Sequence, residues 1–256
     1  TTPCSLAVGA AWSAYFFARV QGRFFRSLGR AESHETVSWR GEILPLQWRI
    51  AISWLAGLVS FNLFAPVLFR YQGAVAAGQM GLSWVLLQAV SDVSLTWVTV
   101  RTPAFGVLIA RRDYAELDRS FLWAVRISLA VLLPGLATCV ALSAALHAYL
   151  PALGERLLSP LLLAVLAVGV LANSVVAVMA IYLRAHKREP MLGLSVVGMV
   201  VVGTSIVYLG KHHGVLGLVT GWSALAWIFL LPTGLIFTRC RRAWHAPHLS
   251  SEQATP

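Results

Sequence analysis

Long apolar runs recur along this chain, and they decide its environment. They fall at about 4–20, 49–69, 75–99, 121–146, 157–183, 191–209 and 215–238. A helix needs about 20 largely apolar residues to cross the hydrocarbon core of a bilayer. Runs of that length, repeated through 256 residues, leave little chain for a water-facing surface. Only 12% of the residues are charged and 58% are hydrophobic, whereas a soluble domain is about 25% charged. An ordinary soluble globule, a disordered tail and a disulfide scaffold are therefore excluded. The runs are apolar nearly all round and lack period-two alternation, which selects helices over barrel strands. Helices also satisfy every backbone N–H and C=O inside lipid without a partner. The expected fold is all-α, a polytopic transmembrane helix bundle of about seven spans.

The net charge of +10 raises nucleic acid as a partner. Position argues against it. A basic linker occupies 21–48, a basic segment 101–120, a short loop 184–190, and a tail 239–256 begins Arg239-Cys240-Arg241-Arg242. With the adjoining helix ends, that side holds 17 of the 20 Lys and Arg residues; Arg70, Arg156 and Lys211 make up the other 3. Such alternation is the signature of loops retained in the cytoplasm. It predicts an N-terminus outside, a C-terminus inside, and no nucleic acid. The tail is expected to be disordered. The chain starts with Thr1, no basic region precedes the short run from Leu6 to Phe17, and the sequence looks like a piece of a longer protein.

Segment 101–120 is more than a loop. Thr102-Pro103 reads as an N-cap with proline at the first helical position. Phe105, Leu108, Ile109, Leu117 and Phe121 fall near one face. Two outcomes fit: a short amphipathic helix on the membrane interface, or an extension of the fourth span.

The third span is unusually polar, carrying Gln79, Ser83, Gln88, Ser91, Asp92, Ser94 and Thr96. Asp92 is the one acid well inside a span, and Gln88 lies four residues before it, on the same face. Arg126 is its candidate partner, because counting from the helix ends puts both roughly 8–11 Å deep. The pair lines a cavity for an anionic substrate or a coupling ion, or it is structural, with Arg126 snorkelling to the interface. Arg49, beside Gln47 and Trp48, is a phosphate contact at a cavity mouth or a positive-inside anchor. Pro66 and Pro134 should kink the second and fourth spans. Gly217 and Gly221 form a small-xxx-small pair suited to packing. His212-His213 has no carboxylate beside it and reads as solvated. Cys4, Cys139 and Cys240 are far apart, so neither metal nor disulfide is expected. No nucleophile elbow, zinc motif or phosphate loop occurs, and no cofactor is implied. An enzyme is disfavoured.

Three stretches carry a resemblance. They are Leu46-Gln47-Trp48-Arg49-Ile50-Ala51-Ile52-Ser53-Trp54, Pro66-Val67-Leu68-Phe69, and Gln72-Gly73-Ala74-Val75-Ala76-Ala77-Gly78-Gln79-Met80-Gly81. The pattern continues through Trp97, Pro103, Gly106, Ile109-Ala110 and Leu117-Asp118. It resembles the C-terminal portion of polysaccharide and lipid-linked oligosaccharide (O-antigen type) flippases of the multidrug/oligosaccharidyl-lipid/polysaccharide exporter superfamily. The resemblance implies two six-helix bundles around a central cavity. Residues 1–20 would be the last helix of the first bundle, 21–48 the linker, 49–238 the second bundle and 239–256 a cytoplasmic tail. It also implies a bacterial cytoplasmic (inner) membrane, a missing N-terminal bundle as partner, and an undecaprenyl-linked oligosaccharide as substrate. Arg49, Gln79, Gln88, Asp92 and Arg126 become the candidates for the substrate or ion pathway. The competing expectations are an ion-coupled small-molecule or drug exporter with Asp92 as its proton or Na⁺ site, a membrane enzyme, and an assembly subunit of polysaccharide synthesis.

Overall fold

The computed structural model describes residues 11–13, 15 and 44–245, and the chain divides into two units, 1–44 and 45–256. In the first unit the rings of Trp12 and Tyr15 lie 6.0 Å apart within a helical stretch. The rest of the first apolar run, most of the basic linker and the tail beyond His245 fall outside the described residues.

The second unit is a helical bundle. Its elements are α1 (Leu44–Asn62), α2 (Phe64–Gln72), α3 (Ala74–Thr99), α4 (Thr102–Ala110), α5 (Tyr114–Tyr149), the single turn α6 (Pro151–Gly154), α7 (Pro160–Ala185) and α8 (Leu192–His245). Four stretches are long and apolar enough to cross a bilayer: Ala74–Ala110, Tyr114–Tyr149, Pro160–Ala185 and Leu192–His245.

The second apolar run is broken. Pro66 has no N–H to give the carbonyl of Asn62, and the helix is interrupted at Leu63 between α1 and α2. Pro134 is accommodated inside α5, where the Thr138 hydroxyl donates to the Pro134 carbonyl at 2.8 Å. Helix α1 already begins at Leu44, inside the stretch expected to be linker.

Helix α8 is two antiparallel arms, 192–213 and 215–245, joined at Gly214. Gly221 packs on Leu209, and a methyl group on Gly198 would lie 3.7 Å from Phe229. On one straight helix residues 198 and 229 would stand about 45 Å apart. The turn needs φ 61° and ψ −148° at Gly214, a region open essentially to glycine alone. Gly217 and Gly221 both face the first arm, against His213 and Leu209, as a small-xxx-small pair should.

Segment 101–120 divides between a separate short helix and an extension of the fourth span. Helix α4 is separate, while Tyr114 onward belongs to α5. Its start is shifted by one residue from the expected cap: Arg101 holds the cap position without a side-chain bond, and Thr102 is already helical. The true side-chain cap is Asp113, which accepts from the Glu116 N–H at 3.1 Å. The apolar face is turned to protein rather than to lipid. Phe105, Leu117 and Phe121 are buried with Val98, Tyr182 and Met191 in a core at the arginine-rich end.

A second core fills the rest of the bundle, with Leu68, Met80, Leu87, Leu132, Leu163 and Ile206 fully buried. Phe64, Trp84 and Trp222 meet edge to face there, with centroids 5.2–5.9 Å apart. Each such pair adds about 0.5–1.5 kcal/mol beyond area burial. Gly169 allows α7 to approach that trio, since a Cβ there would lie 2.5 Å from the Trp222 ring.

Candidate functional site

The polar residues of α3 sort onto two faces. Ser83, Ser91 and Ser94 are buried. Ser91 Oγ meets Ser174 Oγ at 2.8 Å, Ser94 Oγ meets Ser128 Oγ at 2.8 Å, and Ser83 Oγ accepts the Leu158 N–H at 2.9 Å. The two serine pairs are interhelical bonds that let α3, α5 and α7 pack closely, while Ser83 ties α3 to the connection before α7. Gln88, Asp92 and Thr96, spaced by four, form the other stripe. Gln88 Nε2 donates to Asp92 Oδ1 at 2.9 Å, and the Thr96 hydroxyl donates to the Asp92 carbonyl at 3.0 Å. The Asp92 side chain is exposed on the outside of the unit, well within a membrane-length stretch.

The expected Asp92–Arg126 ion pair does not form; among the described residues neither side chain has an oppositely charged partner. The serines explain why. Ser94 and Ser128 are level and face each other across the α3–α5 contact. Asp92 and Arg126 each lie two residues away, so each points about 160° from that contact. They also lie two residues to opposite sides of the serine level, which separates them by about 6 Å in height. Counting from the helix ends had placed them at one depth because α5 starts earlier than the apolar run.

The five candidates therefore do not converge. Gln88 and Asp92 are paired. Gln79, half-buried, donates to the Glu155 carbonyl at 2.7 Å, about 20 Å along α3 from Asp92. Arg126 and Arg49 are exposed on α5 and α1. His212 and His213 are exposed beside the α8 turn. Among the described residues no group of three His, Cys, Asp or Glu side chains could hold a metal.

The densest polar cluster lies elsewhere, where α5 begins and α7 and α8 end. Asp118 accepts from the Tyr182 hydroxyl at 2.9 Å and from Arg241 Nη2 at 2.6 Å. His245 Nδ1 stands 3.8 Å from the same carboxylate, and its ring stacks on Tyr114 at 4.2 Å. Nearby, Arg184 grips Glu189 through Nε at 2.7 Å and Nη2 at 3.2 Å, and the Glu189 side chain is 1% exposed. Residues 239–245 are thus helical and anchored, not part of a disordered tail. Charge ended the apolar run, but Phe237, Cys240 and Trp244 continue the helical spacing into the core. The sequence reading named Asp118 and Arg241 but did not bring them together with Tyr182 and His245. The available signal was the i, i+4 spacing of Arg241 and His245 on that continued helix. With Asp118 satisfied by donors from two other helices, the cluster serves as a clasp.

His186 packs beside the clasp, its ring 4.8 Å from that of Trp244. Its Nδ1 bonds the Tyr182 carbonyl at 3.1 Å, so Nδ1 carries the hydrogen, and Nε2 is buried without a partner among the described residues. Burial chiefly holds its pKa below the ordinary value of 6.5; the neighbouring His245 and Arg188 act the same way, while the Tyr182 carbonyl and Asp118 oppose. Above 6.5 the imidazole is neutral folded or unfolded. As pH falls through 6.5 the unfolded chain takes up a proton that the folded chain refuses, and stability is lost. Unfolding in detergent between about pH 7.5 and about 5.5 should show this loss. His186→Gln should lessen that loss without abolishing it, because His245 lies in the same cluster, and an unchanged slope would exclude His186 as a source.

The chain matches none of the protein-family models, curated proteins or solved structures with which it was compared.

Proposed function

We propose that this chain is the second bundle of a carrier that flips an undecaprenyl-linked oligosaccharide across the bacterial inner membrane by alternating access. The observation that carries the reading is Asp92. A carboxylate at bilayer depth costs about 2.5–3.5 kcal/mol on insertion scales when nothing compensates. Asp92 faces outward from the bundle with Gln88 as its side-chain partner. Such a stripe calls for water or a polar partner across a cavity, and a facing first bundle would supply both. In this reading the chain crosses the bilayer seven times. Residues 1–20, α1 with α2, α3, α5, α7 and the two arms of α8 are the spans, and the arginine-rich end is cytoplasmic. That end gathers segments 101–120, 184–190 and 239–245, which the contacts of Asp118, Tyr182 and Arg241 draw together. Of the five pathway candidates, Gln88 and Asp92 carry the proposal, Arg49 and Arg126 remain basic candidates outside the pair, and Gln79 has its amide engaged at the far end.

The test uses full-length protein. Asp92→Asn and Asp92→Ala should lower surface-polysaccharide export at least about tenfold, as loss of a functional intramembrane charge would, with insertion unchanged. Wild-type export in both variants would end the assignment. A second reading draws on the same residue. A carboxylate with a neutral hydrogen-bond partner and, among the described residues, no paired cation suits proton or Na⁺ binding. Gradient-driven efflux of a cationic dye that Asp92→Asn abolishes would favour that ion-coupled exporter.

A further inference from the structure

One face of the arginine-rich end is built around an exposed tryptophan. The Arg101 guanidinium lies 3.9 Å over the Trp123 ring, and its Nη1 donates to the Ser120 hydroxyl at 3.0 Å. Stacking and that bond fix the guanidinium while leaving most of its donors free. Arg126 follows Trp123 by three residues on the same stripe of α5 and is exposed. It starts about one turn deeper, and its stem is long enough to lift the guanidinium toward Trp123. Neither arginine has an acidic partner among the described residues, although Arg119 on the same stripe is paired with Glu116 at 2.7 Å. Toward the bilayer, α3 exposes Trp97 and Val93. Two unneutralised guanidiniums beside an interfacial indole, above an apolar surface, match a phosphate with hydrocarbon chains attached.

We infer that Arg101, Trp123 and Arg126 form a site for the phosphate of an anionic phospholipid in the adjoining leaflet. The site rests on the membrane placement of the bundle and not on transport, so its failure would leave the Asp92 reading untouched. Arg101 supplies the forked, stacked contact and Arg126 the second positive charge. Bound lipid would neutralise the patch and hold the α3–α4 corner against α5.

The test is lipid retention by the purified chain in mild detergent, read by native mass spectrometry with phosphatidylglycerol or phosphatidylcholine added. Wild-type protein should retain phosphatidylglycerol in preference. Arg101→Ala with Arg126→Ala should cut that preference at least about tenfold, since each arginine at the surface contributes to anionic-lipid binding. Arg101→Lys with Arg126→Lys keeps the charge and the fold; it should lose part of the preference through the missing fork. Arg242→Ala, an exposed cation on the last turn of α8, should change nothing. Excess inorganic phosphate should leave retention intact. Equal retention of the two lipids by wild type, an unchanged preference in the double alanine variant, an equal loss in Arg242→Ala, or displacement by inorganic phosphate would each overturn the site.

Discussion

Asp118→Ala should free the end of α8 from the bundle. The substitution removes the acceptor of the Tyr182 hydroxyl and of Arg241 at once. Hydrogen bonds to a charged group are worth about 1.5–3 kcal/mol each. Arg241 is 44% exposed and Asp118 23%, so solvent screening puts the total near the lower end of one such bond. The loss is local before it is global. Amide exchange in residues 239–245 should accelerate, and trypsin should gain access after Arg239, Arg241 and Arg242, while α3 and α7 stay protected. Asp118→Asn should fall between the two, since it still accepts from Tyr182 without pairing Arg241. Wild-type exchange in the alanine variant would refute the clasp.

Gly214→Ala should destabilise the whole hairpin. A side chain at φ 61° and ψ −148° costs about 1–3 kcal/mol in backbone strain, and a Cβ there would lie 3.1 Å from the Gln72 side chain. The two effects separate. Gln72→Ala in the same chain should recover only the steric part, because the strain belongs to the backbone. Thermal unfolding in detergent measures both variants. Full recovery by Gln72→Ala would show that crowding, not conformation, fixes a glycine at this turn.

The helices were legible because their signal is cumulative: long apolar runs survive errors of a few residues at each end. Finer features turned on single residues. The break at Leu63 followed from Pro66, but Pro134 shows that proline need not interrupt a helix, so the sequence could flag both positions without ranking them. Residues 239–245 were misassigned because a cluster of arginines outweighed the spacing of Phe237, Cys240 and Trp244. Within α3 the polar residues were found but not sorted. The distinction between serines that pack inward and the Gln88–Asp92 pair that faces outward depends on which neighbours α3 acquires, and no local pattern states that. The Asp92–Arg126 expectation failed for the same reason. Depth along a helix can be counted from sequence, but azimuth needs a partner.

The serine contacts also divide the bundle mechanically. Ser91–Ser174 and Ser94–Ser128 bolt α3 to α7 and α5 deep inside the bundle, so these three helices form a stiff wedge. Helix α1 is fastened differently. Its described side-chain bonds to other helices run through Ser53, to Ser195 at 2.8 Å and Arg184 at 3.4 Å, and its far end stops where Pro66 strips Asn62 of a backbone partner. Among the described side chains of α1, Ser53 is thus the one hydrogen-bonded to other helices, so a change there would loosen α1 while leaving the serine-bolted wedge intact.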